Sequence, residues 1–153
     1  MLKKTKGIVI SYIRYKETSI IVKVFTRDLG LKSYIINGVR SSTGKSKMAL
    51  YQPLTVLDLV VYDKEGAGLN RISEAKLHLP YQLIPFDFIR SGIAMFVAEA
   101  LAKSIYENYQ NEHLYDFLES ALVHLDSEEA KLAIYPIVFL YEMSNYLGFA
   151  PSD

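Results

Sequence analysis

The sequence has no cysteine. That absence excludes a disulfide framework, a thiolate nucleophile and any zinc or iron–sulfur site built on sulfur ligands, and it fits a reducing, cytoplasmic setting. Long apolar runs are missing as well. The longest helix-like stretch without a charge, residues 132–141, contains Pro136 and is too short to span a bilayer. The first six residues are too polar to open a signal peptide. The chain therefore reads as soluble and intracellular. Its 153 residues are one ordinary domain or two small ones, and with half of them apolar and 22% charged it builds a core rather than staying disordered.

Net charge is also absent, but the zero conceals an asymmetry. Residues 1–79 hold 14 Lys and Arg against 6 Asp and Glu, whereas residues 80–153 hold 3 against 11. A split of this kind points to two parts, of which the basic one meets a polyanion; a merely soluble surface is the plainer alternative.

The first half carries the signals of β-structure. Residues 7–16 and 19–28 are β-branched and aromatic runs separated only by Glu17-Thr18, the spacing of a tight hairpin. Asp28-Leu29-Gly30 marks the next turn, and residues 31–37 form a third strand. Residues 38–52 are polar and basic, a long loop. Residues 54–62, rich in Leu and Val, predict a largely buried fourth strand; Asp63-Lys64-Glu65-Gly66 turns the chain, and residues 68–75 supply a fifth. Five short strands with one long loop suit a small closed barrel of the OB type, and a five-stranded sandwich satisfies the same pattern.

The period then changes. Pro80 and Pro85 bracket a stiff connector, the best domain boundary. Beyond it Ile89, Ile93, Phe96, Val97, Ala100, Leu101 and Ile105 recur at helical spacing, and Leu114, Phe117, Leu118, Ala121, Leu122 and Leu125 form a second stripe. Asp126 or Ser127 is expected to cap a third helix with Glu128 and Glu129 in its first turn, where the dipole favours anions. Its apolar face would be Ala133, Ile134, Ile137, Val138 and Tyr141, but Leu132, Phe139, Leu140 and Tyr146 make it apolar all round, which is the pattern of a buried helix. Pro136 should kink this helix unless it begins close by, and Gly148 should end it. With two helical partners in the chain, the third helix needs cover from a neighbouring subunit or from further sequence.

Few motifs carry chemistry. The run Gly38-Val39-Arg40-Ser41-Ser42-Thr43-Gly44-Lys45-Ser46 mimics a phosphate-binding P-loop, but five residues separate its glycines and Val39 occupies the position of the first glycine that the motif requires. His78, His113 and His124 lack ligand spacing, and surface or helix-terminal positions explain them. Glu99, Glu107, Asp116 and Glu119 fall on polar helix sides. Nothing looks like an active site, and no enzymatic activity or cofactor is expected.

The same loop reads better as electrostatics. Arg40, Lys45 and Lys47 lie among small polar residues in a segment able to follow a phosphate backbone, and Lys3, Lys4, Arg14, Lys16, Lys23, Arg27 and Lys32 add charge on the first three strands. In an OB barrel those strands and the adjoining loops form the usual nucleic-acid surface. Tyr12, Tyr15, Phe25 and Tyr34 interleave with them as candidates to stack bases or to fill the barrel core.

Thr5-Lys6-Gly7-Ile8-Val9-Ile10, Tyr15-Lys16-Glu17-Thr18-Ser19, Val24-Phe25-Thr26-Arg27-Asp28-Leu29-Gly30, Gly38-Val39-Arg40 with its Ser/Lys-rich loop, and Leu50-Tyr51-Gln52-Pro53-Leu54 together resemble, in order and spacing, the RecO family of bacterial recombination mediators. Leu83-Ile84-Pro85-Phe86-Asp87 and Tyr146-Leu147-Gly148-Phe149 extend the resemblance across the chain. It implies an α+β architecture: an N-terminal five-stranded OB-fold barrel, here residues 1–79, followed by a helical domain, here residues 80–153 and incomplete. It further implies binding of single- and double-stranded DNA, strand annealing, and help in loading RecA onto single strands. RecR and the acidic C-terminal tail of the single-stranded DNA-binding protein would be partners, no membrane would be involved, and the setting would be the bacterial cytoplasm and nucleoid. Family members are usually longer and many carry a four-cysteine zinc site, which this sequence cannot build. Only Arg90, Lys103 and Lys131 are available as cations for a tail pocket in the second half.

The DNA-binding set expected from these readings is Arg14, Lys16, Arg27, Lys32, Arg40, Lys45 and Lys47. Arg27 and Arg40 match family motifs, and the others follow from charge and predicted location. A protein-interaction module whose basic barrel docks an acidic partner, and an RNA-binding OB protein, are the alternatives.

Overall fold

The computed structural model describes residues 1–39, 45–64 and 66–148, with the backbone alone of Lys45 and Ser46. Five strands close into a barrel in the order β1-β2-β3-β5-β4: β1 Leu2–Tyr15, β2 Ser19–Thr26, β3 Gly30–Ile36, β4 Val56–Tyr62 and β5 Asn70–Leu77. This is the OB barrel, and it excludes the sandwich. A five-residue helix, α1 Lys45–Ala49, lies in the segment expected to be loop. Three helices follow, α2 Phe88–Ser104, α3 Glu112–Leu125 and α4 Tyr135–Leu147. Among the described residues no helix is long and apolar enough to cross a membrane.

Strand β1 starts earlier than its β-branched run suggests. Its first half pairs with β4, from Leu2 opposite Tyr62 to Ile8 opposite Val56, and its second half pairs with β2. A bulge between Val9 and Ser11 lets one strand serve two neighbours. The β1–β2 turn has three residues, because Lys16 leaves the strand at φ 54°.

Two cores result. Val9, Ile20, Val22, Val24, Tyr34, Ile36, Leu57, Leu59 and Val61 fill the barrel. Ile8, Ile10, Phe25, Leu31, Leu54 and Val56 point outward and pack under the helices with Val97, Leu101, Leu114, Tyr115, Leu118, Leu122, Phe139 and Met143. Burial of each such side chain stabilises by about 1.5–3 kcal/mol, so the helices hold the barrel as firmly as its own interior does.

The barrel has one weak seam. Strand β3 pairs with β5, in parallel, only at Tyr34–Asn70 and Ile35–Arg71. Below that the α2–α3 connector takes over: Leu31 N–H donates to Tyr109 O and Asn108 N–H to Leu31 O, both at 2.9 Å. Gly30 makes this approach possible, since its φ is +81° and a Cβ there would lie 2.5 Å from Tyr109 O.

The connector between barrel and helices is lashed at both ends. Tyr81 donates its hydroxyl to Leu54 O. The Asp126 carboxylate accepts the backbone N–H groups of Gln82, Leu83 and Ile84 at 2.8–2.9 Å. Arg90 reciprocates, donating to Leu125 O and Ser127 O and pairing with Asp87 at 2.6 Å. Burial by itself would raise the Asp126 pKa, but the three N–H groups and the Arg90 charge outweigh it and hold the carboxyl below its ordinary value.

The third helix departs from expectation in two respects. Asp126 and Ser127 do not start it; α4 begins at Tyr135 with Pro136 in its first turn, where a missing N–H is harmless and no kink arises. Its buried face is Tyr135, Phe139 and Met143, whereas Ile134, Ile137, Val138 and Tyr141 are exposed. The core of this region selects bulky residues four apart and leaves the aliphatic stripe outside. Gly148 ends the helix as expected.

Gly30→Ala is expected to cost roughly 2–3 kcal/mol, from left-handed strain plus the displaced Tyr109 hydrogen bonds. Gly38→Ala, also at positive φ but with none of the described residues within 4 Å of the added carbon, should cost about 1 kcal/mol. Equal losses in chemical denaturation would show that the Tyr109 approach contributes nothing. Asp126→Asn should destabilise by about 1–3 kcal/mol at neutral pH. A carboxyl with a depressed native pKa stabilises above its unfolded value and loses that stabilisation as pH falls through the native one. Unfolding titrations should therefore show wild type and variant converging below about pH 4.

Candidate nucleic-acid interface

Register sorts the outward side chains of β1, β2 and β3 into rows. Phe25 and Leu31 lie under the helices. The next row is Ser11–Lys23–Ser33, then Ile13–Ile21–Ile35 continuing to Arg71 on β5, and then Tyr15–Ser19, with Ser19 bonded to Asn37 at 2.9 Å. Among the described residues no helix covers the last two rows. Ile13 is 64% exposed, Lys23 and Arg71 are exposed, and Ile21, Ile35 and Tyr15 are half-buried. Strand alternation produces this face: Val22 and Val24 point into the barrel, so Ile21 and Lys23 between them point out.

The cations of the barrel divide by location. Beside α3 they are engaged. Arg27 makes a bidentate pair with Asp116 at 2.8 and 3.0 Å, and its Nη1 lies 3.6 Å from Glu112 and 3.5 Å from Asp28. The Asp116 hydrogen bond and charge raise the guanidinium pKa, and the same pair holds the Asp116 carboxyl below its usual range. Lys6 pairs with Glu119 at 3.1 Å, and His78 lies between Asp58 at 3.0 Å and Glu119 at 4.0 Å. Lys3 pairs with Asp63 at 2.8 Å. A cleft of about 820 Å³ at this junction is lined by Lys4, Lys6, Arg27 and Lys76, but also by Asp28, Asp58, Glu74 and Asp116, so its charges balance.

Away from α3, Arg14, Lys23, Lys47 and Arg71 make no ion pair or side-chain hydrogen bond among the described residues. Arg14 sits opposite Ile20, one residue from the strand end, and is exposed. The Lys16 ammonium lies 5.3 Å from the Tyr15 ring centroid.

The sequence-predicted residues thus fall into three groups. Arg14 and Lys16 are exposed at the hairpin end of β1, Arg14 on the side of the strand opposite to Ile13, and Lys47 is exposed on α1. Arg27 is held by helix carboxylates, and Lys32 donates to Asn108 at 3.1 Å. Arg40 and the Lys45 side chain lie outside the described residues. Of the candidate stacking aromatics, Phe25 and Tyr34 are fully buried, Tyr12 packs against the barrel core, and Tyr15 alone lies on the open face. Burial pushes the Tyr34 hydroxyl pKa up, with the Asp63 charge adding to it. Reading by charge alone missed Arg71 and the isoleucine row. Alternation within residues 19–28 signals that Ile21 shares a face with Lys23, but the parallel β3–β5 pairing that brings in Arg71 leaves no local trace.

On the helical side, a groove of about 390 Å³ between α3 and α4 is lined by Phe117, Ala121, Tyr135, Val138 and Phe139, with Lys131, Glu129 and Glu142 also in its wall. Of the three cations of this half, Arg90 is consumed by the connector, and Lys103 and Lys131 are exposed.

Comparison with known proteins gives a consistent answer. Residues 1–81 match the family described as Recombination protein O N terminal, and residues 85–152 match Recombination protein O C terminal. The chain is 43% identical over 149 residues to a DNA repair protein RecO of Flavobacterium psychrophilum, covering 97% of this chain and 62% of that protein. The corresponding protein of Bacteroides fragilis is 36% identical over 152 residues, covering 99% and 63%. That of Chlorobium phaeobacteroides is 34% identical over 153 residues, covering 99% and 58%. The chain therefore spans about three fifths of the length of these relatives.

Arg27→Gln should weaken the barrel–α3 junction at neutral pH. Asp116, with its depressed pKa, contributes above the unfolded carboxyl value and ceases to as pH falls through its native one. The stability gap between wild type and variant should therefore shrink below about pH 4 and in high salt. A gap unchanged by either, measured by urea unfolding, would mean that the ion pair contributes nothing.

Proposed function

The chain belongs to the recombination protein O family, and from that premise we propose that it is a non-enzymatic DNA-binding module serving DNA repair and recombination, whose barrel takes DNA on the open face of β1, β2 and β3. Lys23 and Arg71 supply phosphate contacts from the face itself, Arg14 and Lys16 from its hairpin end, and Arg40, Lys45 and Lys47 from the β3–β4 segment. Arg27 and Lys32 contribute less, because their polar atoms already have protein partners. The observation that carries this reading is the segregation of cations: those beside α3 face carboxylates, while Lys23 and Arg71 beside the isoleucine row make no ion pair among the described residues. A polyanion gains most where charge is not already neutralised.

On this reading residues 1–79 are the DNA-binding unit and residues 80–153 the helical unit. Annealing follows physically, because neutralising two strands on one surface lowers their repulsion and breaks no covalent bond. Loading of RecA, with RecR and the tail of the single-stranded DNA-binding protein as partners, is the family-level expectation for the longer proteins. In this chain the Phe117–Phe139 groove is apolar but sets Lys131 against Glu129 and Glu142, so its charge does not favour such a tail.

The exposed Ile137 and Tyr141 on α4, with Ile134 just before it, favour a second, compatible role in protein docking for the helical unit. If the barrel instead bound an acidic protein, polyglutamate would displace nucleic acid at equal charge concentration.

Titrating a fluorescent single strand at several salt concentrations tests the proposal. Log affinity should fall linearly with log salt at roughly −0.7 per phosphate contact, so Lys23→Ala with Arg71→Ala should flatten the slope by about 1.4. Arg27→Gln should change it less. Absence of binding at low salt would remove DNA from the function of this barrel.

A further inference from the structure

The isoleucine row lies among the cations but carries no charge, so it has no role in a purely electrostatic grip. Ile13, Ile21 and Ile35 are directly level across three strands, and Arg71 ends the row on a fourth. Neighbouring strands lie about 4.8 Å apart, so the three side chains make an aliphatic strip roughly 10 Å across. Small polar residues flank the strip, Ser11 and Ser33 on one side and Ser19 on the other; Ile13 is exposed, and Ile21 and Ile35 are half-buried. Lys23 stands between the two serines, Tyr15 lies beside Ser19, and Glu107, accepting from Ser33 at 3.3 Å, bounds the strip toward the helices. Elsewhere on the same strands outward aliphatics such as Ile8, Ile10 and Leu31 are covered by helices; these three are not.

Resting on the proposed DNA-binding reading, we infer that the Ile13–Ile21–Ile35 strip is the specificity element of this face and selects strands with unpaired bases over duplex. A duplex presents phosphates and sugars outward and keeps its base faces stacked, so it would engage Lys23 and Arg71 while leaving the strip in water. A single strand can lay base faces on an apolar platform while its phosphates reach the flanking cations, the arrangement on which sequence-tolerant single-strand binders depend. Aliphatic side chains offer contact area without hydrogen-bond readout, so the selection is for strandedness and not for sequence.

The test uses the full chain, an oligodeoxythymidine of roughly 20 nucleotides, longer than the site of one such barrel, and its duplex with oligodeoxyadenosine. Replacing all three residues by threonine keeps β-branching and removes apolar area. The triple variant should lose about tenfold in single-strand affinity, with duplex affinity and the salt slope unchanged, because no charge is altered. Ile13→Thr alone, at the most exposed position of the strip, guards against a folding defect and should lose about threefold on the single strand only. Equal losses on both probes, or no loss on either while the wild type binds both, would overturn the inference and leave the DNA-binding reading standing. Failure of the wild type to bind either probe at low salt would overturn both.

Discussion

The structure depends on how the barrel is closed at its weakest point. Two parallel residue pairs join β3 to β5, and a strand pairing that short would leave the lower part of β3 with unpaired backbone groups. The α2–α3 connector satisfies both polar groups of Leu31, and the apolar residues on the outside of β1, β2 and β3 at that level need the helices as cover. Closure of the barrel and docking of the helices are thus one requirement. The asymmetry between a covered and an uncovered end of the same strands follows from it.

That junction also absorbs much of the charge imbalance between the two halves of the chain. Arg27 and Lys6 meet Asp116, Glu112 and Glu119 of α3, so part of the basic character of the first half is matched by the acidic character of the second within the same molecule. A net count by halves therefore overstates what is available to a polyanion. The informative quantity is the set of cations that the helices leave unmatched. Arg14, Lys23, Lys47 and Arg71 belong to that set among the described residues, and Lys23 and Arg71 share one outward face of the barrel.

The five strands, the positions of the β1–β2 and β2–β3 turns and helices α2 and α3 were legible in the sequence, because each rests on local periodicity and turn chemistry; the barrel itself, whose pattern a sandwich shares, was implied only by the family resemblance. The first half of β1 was not. Its outward positions Lys4 and Lys6 face solvent and α3 carboxylates, so they read as a polar lead-in and not as a strand. The start of α4 was misplaced because Asp126 and Ser127 have good capping chemistry, yet Asp126 uses its oxygens on the distant N–H groups of residues 82–84. Local sequence cannot register that competition. Of the proposed site, the hairpin cations Arg14 and Lys16 are suggested by charge, whereas Arg71 reaches the face only through a non-local parallel pairing.

The apolar residues show most sharply where sequence reasoning stops. Ile10 and Ile13 are chemically identical and three residues apart, and both project from the outside of β1, Ile10 at its bulge and Ile13 beyond it. One is buried at 4% and the other 64% exposed. The difference comes from what the helices cover, and an apolar residue turns from core into contact surface at the edge of that cover. The same holds on α4, where Phe139 is core and Ile137, two positions away, is 73% exposed. Exposed aliphatic area that the fold could bury but does not is a standing cost of desolvation foregone. Beside unmatched cations, as on the barrel, a ligand with both apolar faces and negative charge would offset that cost, and unpaired polynucleotide, the proposed ligand, has both.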